Sequence, residues 1–281
     1  MTVSSAQIQS ERVDQMSTKV RPTTPSQQHY ATYPTLRGKN VLITGGATGI
    51  GEVLVSRFAE QGARVAFLDI EDAQAKTLVA RIARNGSVPP RYLHCDLTDL
   101  AAIRECVASV ISSFKGIDVL VNNAANDERH SVEDVSPELW DRLMAVNLRH
   151  QFFTTQAALP ALKKAMKGSI INMSSIAWLI PSTGLPLYVA AKAAIVGLTR
   201  TLAHEVGKEN IRVNCVLPGA IVTERQNRLW LTAEYRAEIL SGQALKRHIL
   251  PNEVASLVLF LAADDSSGMS GQSYIVDGGW A

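Results

Sequence analysis

Short apolar runs alternate with longer segments of helical periodicity along most of the chain. The apolar runs fall at residues 40–44, 64–69, 91–95, 118–122, 169–174, 211–217 and 273–277. Helices are predicted between them, at about residues 49–61, up to residue 84, at 100–114, at 137–166 and around residue 188. Continuous apolar strands separated by helices are typical of a parallel sheet that is buried on both faces. The pattern predicts a single-domain α/β fold, a doubly wound parallel sheet of Rossmann type with helices on both faces and about seven strands.

The first 37 residues lack this alternation and are rich in Ser, Thr, Gln and Pro. Such a composition is typical of a flexible arm. We therefore predict a flexible N-terminal extension at residues 1–37 and one globular domain at residues 38–281. The extension is expected either to be solvated or to lie over a neighbouring subunit.

Charge and hydropathy exclude several classes of partner. The chain of 281 residues has a net charge of +2, and residues 1–37 carry four basic and two acidic residues. The remainder is balanced, with 24 basic and 24 acidic residues. A neutral domain gives no electrostatic reason to expect nucleic acid or an anionic membrane surface as a partner. No apolar run reaches the 18 residues of a membrane span, and the N-terminus lacks the apolar segment of a secretory signal.

The cysteines and histidines do not form a metal-binding pattern. The three cysteines, which cannot all pair, have no C-x-x-C spacing and are expected to be reduced thiols in a cytoplasmic protein. They are Cys95, Cys106 and Cys215. His94, His130 and His150 are scattered without ligand spacing, so we interpret them as structural and predict no metal.

A glycine-rich turn follows the first apolar run, with glycines at positions 45, 46, 49 and 51. Glycines allow the backbone to approach a pyrophosphate, and a helix N-terminus favours the negative charge of that group. Asp69 ends the second run, where it could accept hydrogen bonds from adenosine ribose hydroxyls or, alternatively, cap the next helix. The turn contains no lysine or arginine, and Ile70 follows Asp69, which favours NAD over NADP. Asp96 ends the third run, where adenine would lie, unless it caps the helix near Asp99.

A tyrosine and a lysine stand four residues apart, at Tyr188 and Lys192, with Ser175 thirteen residues before the tyrosine. Residues at i and i+4 share one face of a helix. A nearby ammonium stabilises a phenolate, so the pair could supply a base for alcohol oxidation beside a nicotinamide. The same spacing also occurs with a tyrosine at a rim and a solvated lysine. The small apolar residues around Lys192 favour a held lysine.

These residues occur in the order and at the spacing of a known family. Over about Gly38 to Ala281, the chain resembles the short-chain dehydrogenases/reductases. The matching features are the glycine turn, Asp96, Asn122-Asn123-Ala124, Asn147, Ser175, Tyr188, Lys192, Pro218-Gly219 and Thr223. Ala125 departs from the pattern, because the family often has glycine there.

The resemblance implies a dinucleotide-binding and catalytic domain at residues 38–281 and a role for each matched residue. Tyr188 would be the acid/base, and Ser175 would hydrogen-bond the reacting oxygen. Lys192 would hold the nicotinamide ribose and lower the tyrosine pKa, while Asn147 would support a water that relays the proton. The implied cofactor-binding residues are Gly45, Thr48, Gly49, Ile50, Gly51, Asp69, Asp96, Leu97, Asn123, Ala124, Tyr188, Lys192, Pro218, Ile221 and Thr223.

A narrower resemblance concerns the substrate. Several segments look like bacterial NAD-dependent xylose dehydrogenases and related aldose 1-dehydrogenases, namely residues 33–39, 68–70, 126–130, 147–150, 175–178, 223–226 and 277–280. It implies NAD-dependent oxidation of a free sugar at its anomeric carbon to an aldonolactone. The candidate substrate residues are Asn126, Ser175, Trp178, Tyr188, Arg225, Gln226 and Trp230. Alternatively, Arg225 pairs with a surface carboxylate and Trp230 packs a lid helix.

Two other functions stay open. An oxidoreductase of the same fold could act on a 3-oxoacyl thioester, a steroid or a polyol. A dinucleotide-binding protein without turnover is the third hypothesis, although such proteins typically lack the tyrosine or the lysine.

The family resemblance also implies a homotetramer. The small residues of the Tyr188 helix would allow a second helix to approach, unless that face packs only on its own sheet.

Overall fold

The computed structural model describes residues 30–281, so most of the predicted extension at residues 1–37 lies outside the described residues. The globular unit begins at Thr32. A short 3₁₀ turn at Pro34–Leu36 brings Leu36 into the core, where its side chain is fully buried. The Tyr33 amide donates a hydrogen bond to Gln61 Oε1 over 2.7 Å. The chain is therefore already packed a few residues before position 38.

Seven parallel strands form one sheet in the order β3-β2-β1-β4-β5-β6-β7, which confirms the predicted doubly wound α/β fold. The strands are β1 Asn40–Thr44, β2 Arg64–Asp69, β3 Arg91–His94, β4 Val119–Asn122, β5 Ser169–Met173, β6 Arg212–Pro218 and β7 Ser273–Val276.

Helices connect the strands and cover both faces of the sheet. They are α1 Gly49–Glu60, α2 Asp72–Arg84, α3 Leu100–Phe114, α4 Pro137–Met144, α5 His150–Ala165, α6 Pro186–Val206, α7 Glu224–Leu229, α8 Ala233–Gly242 and α9 Pro251–Ala262. A π-helical segment, Ala145–Arg149, joins α4 to α5. Within residues 30–281, no helix has both the length and the apolarity needed to cross a membrane.

The side-chain alternation of β1 shows why its apolar run is continuous. Val41 and Ile43 point into the core layer that contains Val258 of α9, whereas Leu42 points into the opposite layer with Ile103 of α3. All three strand side chains are fully buried. A central strand of a parallel sheet is covered on both sides, so polar residues have no solvent face to occupy.

The strand order reverses between β1 and β4, which pair in parallel with Thr44 opposite Asn122. At such a switch point the two crossovers leave the sheet on opposite sides, and a crevice opens at the carboxyl ends of the strands. The glycine turn follows β1, Asp69 ends β2, and Ser175 follows β5. The fold therefore gathers the predicted chemistry at one edge of the sheet.

Candidate active site

A cavity of about 470 Å³ lies in the crevice at the carboxyl ends of the strands. Its walls include every predicted cofactor-binding residue, from Gly45 in the first turn to Thr223 before α7. They also include Ser175 of the predicted catalytic set, together with Asn126, Arg225 and Gln226 of the predicted substrate set. Asn147, Trp178 and Trp230 do not line the cavity.

The glycine turn is specified by close backbone approach. A Cβ atom on Gly51 would lie 1.7 Å from the Gly45 carbonyl oxygen, and Gly45 itself has a φ of +67°. Thr48, the N-cap residue of α1, makes no capping hydrogen bond with its side chain. The first turn of α1 therefore lines the cavity with amides that no side-chain cap satisfies, which is an arrangement suited to a phosphate.

Asn123 holds the turn from the neighbouring strand end. Its side-chain amide donates to the carbonyl oxygens of Thr44 and Gly45 over 3.0 and 2.8 Å. Its backbone amide donates to the Thr44 hydroxyl over 3.0 Å. Asn123 thus lines the cavity and also fixes the position of the turn between β1 and α1.

Asp69 connects the turn to the end of β2. Its carboxylate accepts hydrogen bonds from the backbone amides of Ala47, Ile70 and Glu71 over 2.8, 2.8 and 3.1 Å. These donors precede α2, so Asp69 organises the loop and does not cap the first turn of the helix. An ionised carboxylate has about four acceptor positions, so these three amides leave one position on a residue that lines the cavity.

The third strand end carries two carboxylates with separate tasks. Asp99 is the N-cap of α3 and accepts from the amides of Ala101 and Ala102. Asp96 lies at the cavity and accepts from the Thr98 amide and hydroxyl, both over 2.8 Å. The helix is therefore capped by Asp99, and Asp96 is not needed for that purpose.

Lys192 is held inside the protein, with its side chain 1% exposed. Its ammonium donates to the Met173 carbonyl oxygen over 2.9 Å and lies 5.4 Å from the ring centroid of Tyr188. The Ser174 hydroxyl donates to the Lys192 carbonyl oxygen over 2.6 Å, which ties α6 to the end of β5. Burial lowers the pKa of Lys192 to about 8, although Cys215 and Asp127 act in the opposite direction.

The phenol of Tyr188 has a raised pKa. Burial, followed by the negative charge of Asp127, raises the pKa of Tyr188 to about 12. A hydrogen bond with the Ser175 side chain and the positive charge of Arg129 lower that pKa only in part. Loss of water around the phenolate thus outweighs the favourable interactions in this structure. The role of Lys192 in lowering the tyrosine pKa stays a prediction.

Asn147 holds the loop that follows β4. It is fully buried in the π-helical segment, a feature that is frequent at functional sites. Its side-chain oxygen accepts from the Asn126 amide over 2.8 Å, and its side-chain nitrogen donates to the Asn126 carbonyl oxygen over 2.9 Å. Both functional ends of the Asn147 amide are thus used to fix the backbone at Asn126.

Asp127 is a functional candidate that the sequence reasoning missed. One carboxylate oxygen accepts from Arg225 Nη2 over 3.3 Å, and the other accepts from Gln226 Nε2 over 2.7 Å. Arg225 Nη2 also donates to Asn126 Oδ1 over 3.1 Å. The carboxylate that pairs with Arg225 therefore belongs to the cavity wall. Arg129, also missed, lines the cavity two residues further on; a charged run directly after a strand end was the signal in the sequence.

Two predicted substrate residues, Trp178 and Trp230, contact other parts of the protein. Trp178 packs against a buried cluster that contains Ile176 and Ile195. The ring of Trp230 is covered by the Arg129 guanidinium, whose carbon atom lies 5.2 Å from the ring centroid. Neither indole reaches the cavity wall, whereas Trp280, near the C-terminus, does.

The histidines make local contacts. His94 Nδ1 lies 3.1 Å from Asp72 Oδ1, and His130 Nδ1 lies 3.1 Å from the Glu128 carbonyl oxygen. His150 is fully buried, and burial lowers its pKa to about 3. In the described part of the chain, no group of three or more His, Cys, Asp or Glu side chains could hold a metal ion.

Known proteins match nearly the whole chain. A family model described as "Enoyl-(Acyl carrier protein) reductase" matches residues 45–281. The D-xylose 1-dehydrogenase of Caulobacter vibrioides is 49% identical over 250 residues, covering 89% of this chain and 98% of the relative. A protein of Rhizobium meliloti named "Probable galactose dehydrogenase GalD" is 46% identical, covering 92% of this chain and 99% of the relative.

More distant relatives have other named substrates. A 3-oxoacyl-[acyl-carrier-protein] reductase of Thermotoga maritima is 40% identical, covering 87% of this chain and 98% of the relative. A solved structure from Sinorhizobium meliloti, described as a short-chain alcohol dehydrogenase, matches with a TM-score of 0.83 and 28% identity. That match covers 88% of this chain and 98% of the other.

Proposed function

The chain belongs to the short-chain dehydrogenase/reductase family, and from that premise we propose that it oxidises a free aldose at the anomeric carbon with NAD. Membership makes it an oxidoreductase that uses a nicotinamide dinucleotide. The observation that carries the sugar proposal is the polar cluster of Asn126, Asp127, Arg225 and Gln226 in the same cavity as Tyr188. The relatives named for xylose and galactose support it.

Several features of the cavity fit a dinucleotide with an unphosphorylated ribose. The uncapped first turn of α1 suits the pyrophosphate. Asp69 and Glu71 line the neighbouring wall, and no lysine or arginine lines the described cavity surface between Gly45 and Glu71. Two carboxyl groups without a cation would repel a 2′-phosphate, which favours NAD over NADP.

The chemistry assigned to the chain is proton transfer at one oxygen. When bound, the oxidised nicotinamide supplies the hydride acceptor for the anomeric carbon. Tyr188 takes the proton of the hydroxyl on that carbon, and Ser175 hydrogen-bonds the same oxygen. The cyclic hemiacetal thus loses one hydride and one proton and becomes a lactone. Lys192, buried beside Tyr188, is proposed to hold the nicotinamide ribose.

Rate should rise toward alkaline pH. Because burial and Asp127 hold the pKa of Tyr188 at about 12 in the structure, the phenolate is the minority form at neutral pH. A base must be deprotonated before it can accept the substrate proton, so the rate follows its ionisation.

We also propose a cytoplasmic homotetramer. Ala190, Ala193, Ala194 and Gly197 of α6 are exposed, whereas Ala191 is buried against the body of the subunit. The small face is therefore free to receive a helix of another copy, and closed two-fold assemblies are common among soluble oligomers. Light scattering at micromolar concentration checks the oligomeric state, because a single chain has a mass of 30.4 kDa.

The three cysteines are free thiols, which supports the proposed location in the cytoplasm.

The test is a substrate panel with NAD and with NADP at alkaline pH, followed by absorbance of the reduced cofactor. The panel contains pentoses, hexoses and deoxy-sugars, together with polyols and hydroxysteroids; 3-oxoacyl thioesters are assayed in the reductive direction. We expect turnover of at least one aldose with NAD and detection of its lactone before the free acid. Turnover only of thioesters, steroids or polyols would move the chain to the second class of substrate, to which its 40% identical relative belongs by name.

A further inference from the structure

Two adjacent carboxylates follow β4, and each pairs with an arginine. Glu128 makes a two-point contact with Arg142 over 2.8 and 2.9 Å, and it lies outside the cavity wall. Asp127 pairs with Arg225 and lines the cavity. The side chain of Asp127 is 17% exposed, against 38% for Glu128. The two residues are thus adjacent and carry the same charge, but only Asp127 lies at the cavity.

The Asp127 carboxylate is held from two directions. On one side, Asn147 fixes the backbone of the preceding residue, Asn126, with two hydrogen bonds. On the other side, Arg225 and Gln226 of α7 contact both carboxylate oxygens. A group supported in this way keeps its orientation when a ligand arrives, which is what specific recognition needs.

The position of this charge is unfavourable for the proposed base. The negative charge of Asp127 raises the pKa of Tyr188, so it opposes formation of the phenolate. It also raises the pKa of Lys192, which indicates that its field reaches both groups of the proposed chemistry. A carboxylate at this place must therefore serve something other than ionisation of the tyrosine.

The Asp127 carboxylate can accept a further hydrogen bond from a ligand. An ionised carboxylate only accepts, at about four positions around its two oxygens. Arg225 donates twice to one carboxylate oxygen and Gln226 donates once to the other, so about one of the four acceptor positions is left for a ligand in the cavity that Asp127 lines. Sugars present several hydroxyl donors, whereas the body of a thioester or a steroid presents few. A substrate without donors would leave the carboxylate partly unsatisfied, which is costly.

On the basis of the proposed function, we propose that Asp127 is the specificity-determining residue of the substrate end and accepts a hydrogen bond from a sugar hydroxyl remote from the anomeric carbon. Arg225 and Gln226 are positioning residues that orient its carboxylate. Asp127 selects polyhydroxylated substrates and rejects those whose bulk is apolar.

The experiment compares wild type with Asp127→Asn, which keeps size and removes the charge, and with Glu128→Gln as the matched control. The substrates are the best aldose of the panel and its single-deoxy analogues. We expect Asp127→Asn to lower kcat/KM for the aldose by roughly 10- to 100-fold, the range for one charge-assisted hydrogen bond. The KM of Asp127→Asn for NAD should stay within about twofold of the wild-type value. All kinetic constants of Glu128→Gln should do the same, as expected for an exposed ion pair.

The deoxy-sugars make the test specific. In wild type, removing the hydroxyl that Asp127 binds lowers kcat/KM; in Asp127→Asn, the same removal should cost little, because the interaction is already lost. The alkaline rise in kcat/KM should also move to lower pH in Asp127→Asn, because loss of a negative charge near Tyr188 favours the phenolate. The pH shift follows from the charge alone, whereas a merely structural role of Asp127 would leave the deoxy penalty as large as in wild type.

Failure of the inference and failure of the proposed function are distinguishable. If wild type oxidises no aldose, the proposed function is wrong and the inference falls with it. If wild type oxidises aldoses but Asp127→Asn keeps its kcat/KM and every deoxy penalty, the inference alone is overturned. Should Asp127→Asn not fold, Arg225→Met replaces it; we expect a smaller loss confined to the same hydroxyl, and unchanged deoxy penalties would contradict the inference.

Discussion

The two ends of the cavity differ in whether backbone groups or side chains form their walls. The proposed cofactor end depends largely on the backbone: it consists of the glycine turn, whose carbonyls Asn123 holds, and of the three amides that donate to Asp69. The proposed substrate end consists of side chains from the loop after β4 and from α7 that contact one another, and the Arg225 side chain there is 44% exposed. A close backbone approach tolerates no larger residue in place of glycine, whereas side chains that contact one another can be substituted one at a time. Relatives of this chain are named for a sugar and for an acyl carrier protein, and we expect such differences in substrate to arise at the side-chain end.

The largest expected effect lies in the backbone end. Gly51→Ala would place a Cβ atom 1.7 Å from the Gly45 carbonyl oxygen, so the turn must open. We expect a cost of more than about 4 kcal/mol and loss of detectable NAD binding in a fluorescence titration. Gly116→Ala is the control, because its nearest atom would be 3.9 Å away. NAD binding of normal strength by Gly51→Ala would show that the backbone end is less rigid than described.

The next effect lies where the two ends meet. Tyr188→Phe keeps the ring and removes only the hydroxyl proposed as the base. We expect turnover to fall roughly 100- to 10,000-fold, the usual contribution of general acid–base catalysis, while NAD affinity changes only a few-fold. Steady-state rates and a binding titration measure the two quantities. A kcat equal to that of wild type would remove Tyr188 from the mechanism.

A moderate effect is expected from Asp69. Asp69→Ser should weaken NAD roughly 10- to 150-fold and relieve the exclusion of NADP, because one charge-assisted acceptor is lost. Since Asp69 also accepts from Ala47 in the turn, Asp69→Asn is needed beside it to separate charge from shape. Dissociation constants for both dinucleotides give the answer, and a wild type that already prefers NADP is the outcome against this interpretation.

The smallest effect on catalysis is expected outside the cavity. Gly197→Arg adds a long charged side chain to the exposed small face of α6, where no atom lies within 4 Å of the added Cβ. We expect the assembly mass from light scattering to fall while kcat per chain stays within about twofold. Gly268→Arg, which also has no atom within 4 Å of its added Cβ, is the control. An unchanged mass in Gly197→Arg would argue against pairing through α6.

The strands could be predicted from sequence because burial on both faces forces continuous apolar runs. The pattern of apolar runs predicts no helix in the segment between β6 and β7, although that segment contains α7, α8 and α9. Local signals for α9 were present, with Pro251 in the first turn and Glu253 accepting from the Leu250 amide. α7 is mostly polar and α8 mixes polar with apolar residues, whereas α9 is a nearly continuous apolar run from Val254 that only Ser256 interrupts. Periodicity alone does not distinguish such a run from a buried strand.

Two features of the site depend on tertiary structure and could not be predicted. Asp127 meets Arg225 across 98 positions of sequence, so its place in the cavity wall follows from the fold. The direction of the Tyr188 pKa shift depends on burial, which a four-residue spacing does not reveal. The glycine turn and Asp69, in contrast, stand at strand ends, and any parallel sheet brings such positions to one edge.

The central claim is oxidation at the anomeric carbon, and an aldose deuterated at C1 tests it directly. With the best sugar of the panel and NAD, we predict that the deuterium appears in the reduced cofactor and that the product is the unlabelled aldonolactone. We also predict a slower rate than with the protiated sugar whenever cleavage of the C–H bond limits turnover. Deuterium retained at C1 of a ketose product would contradict the claim.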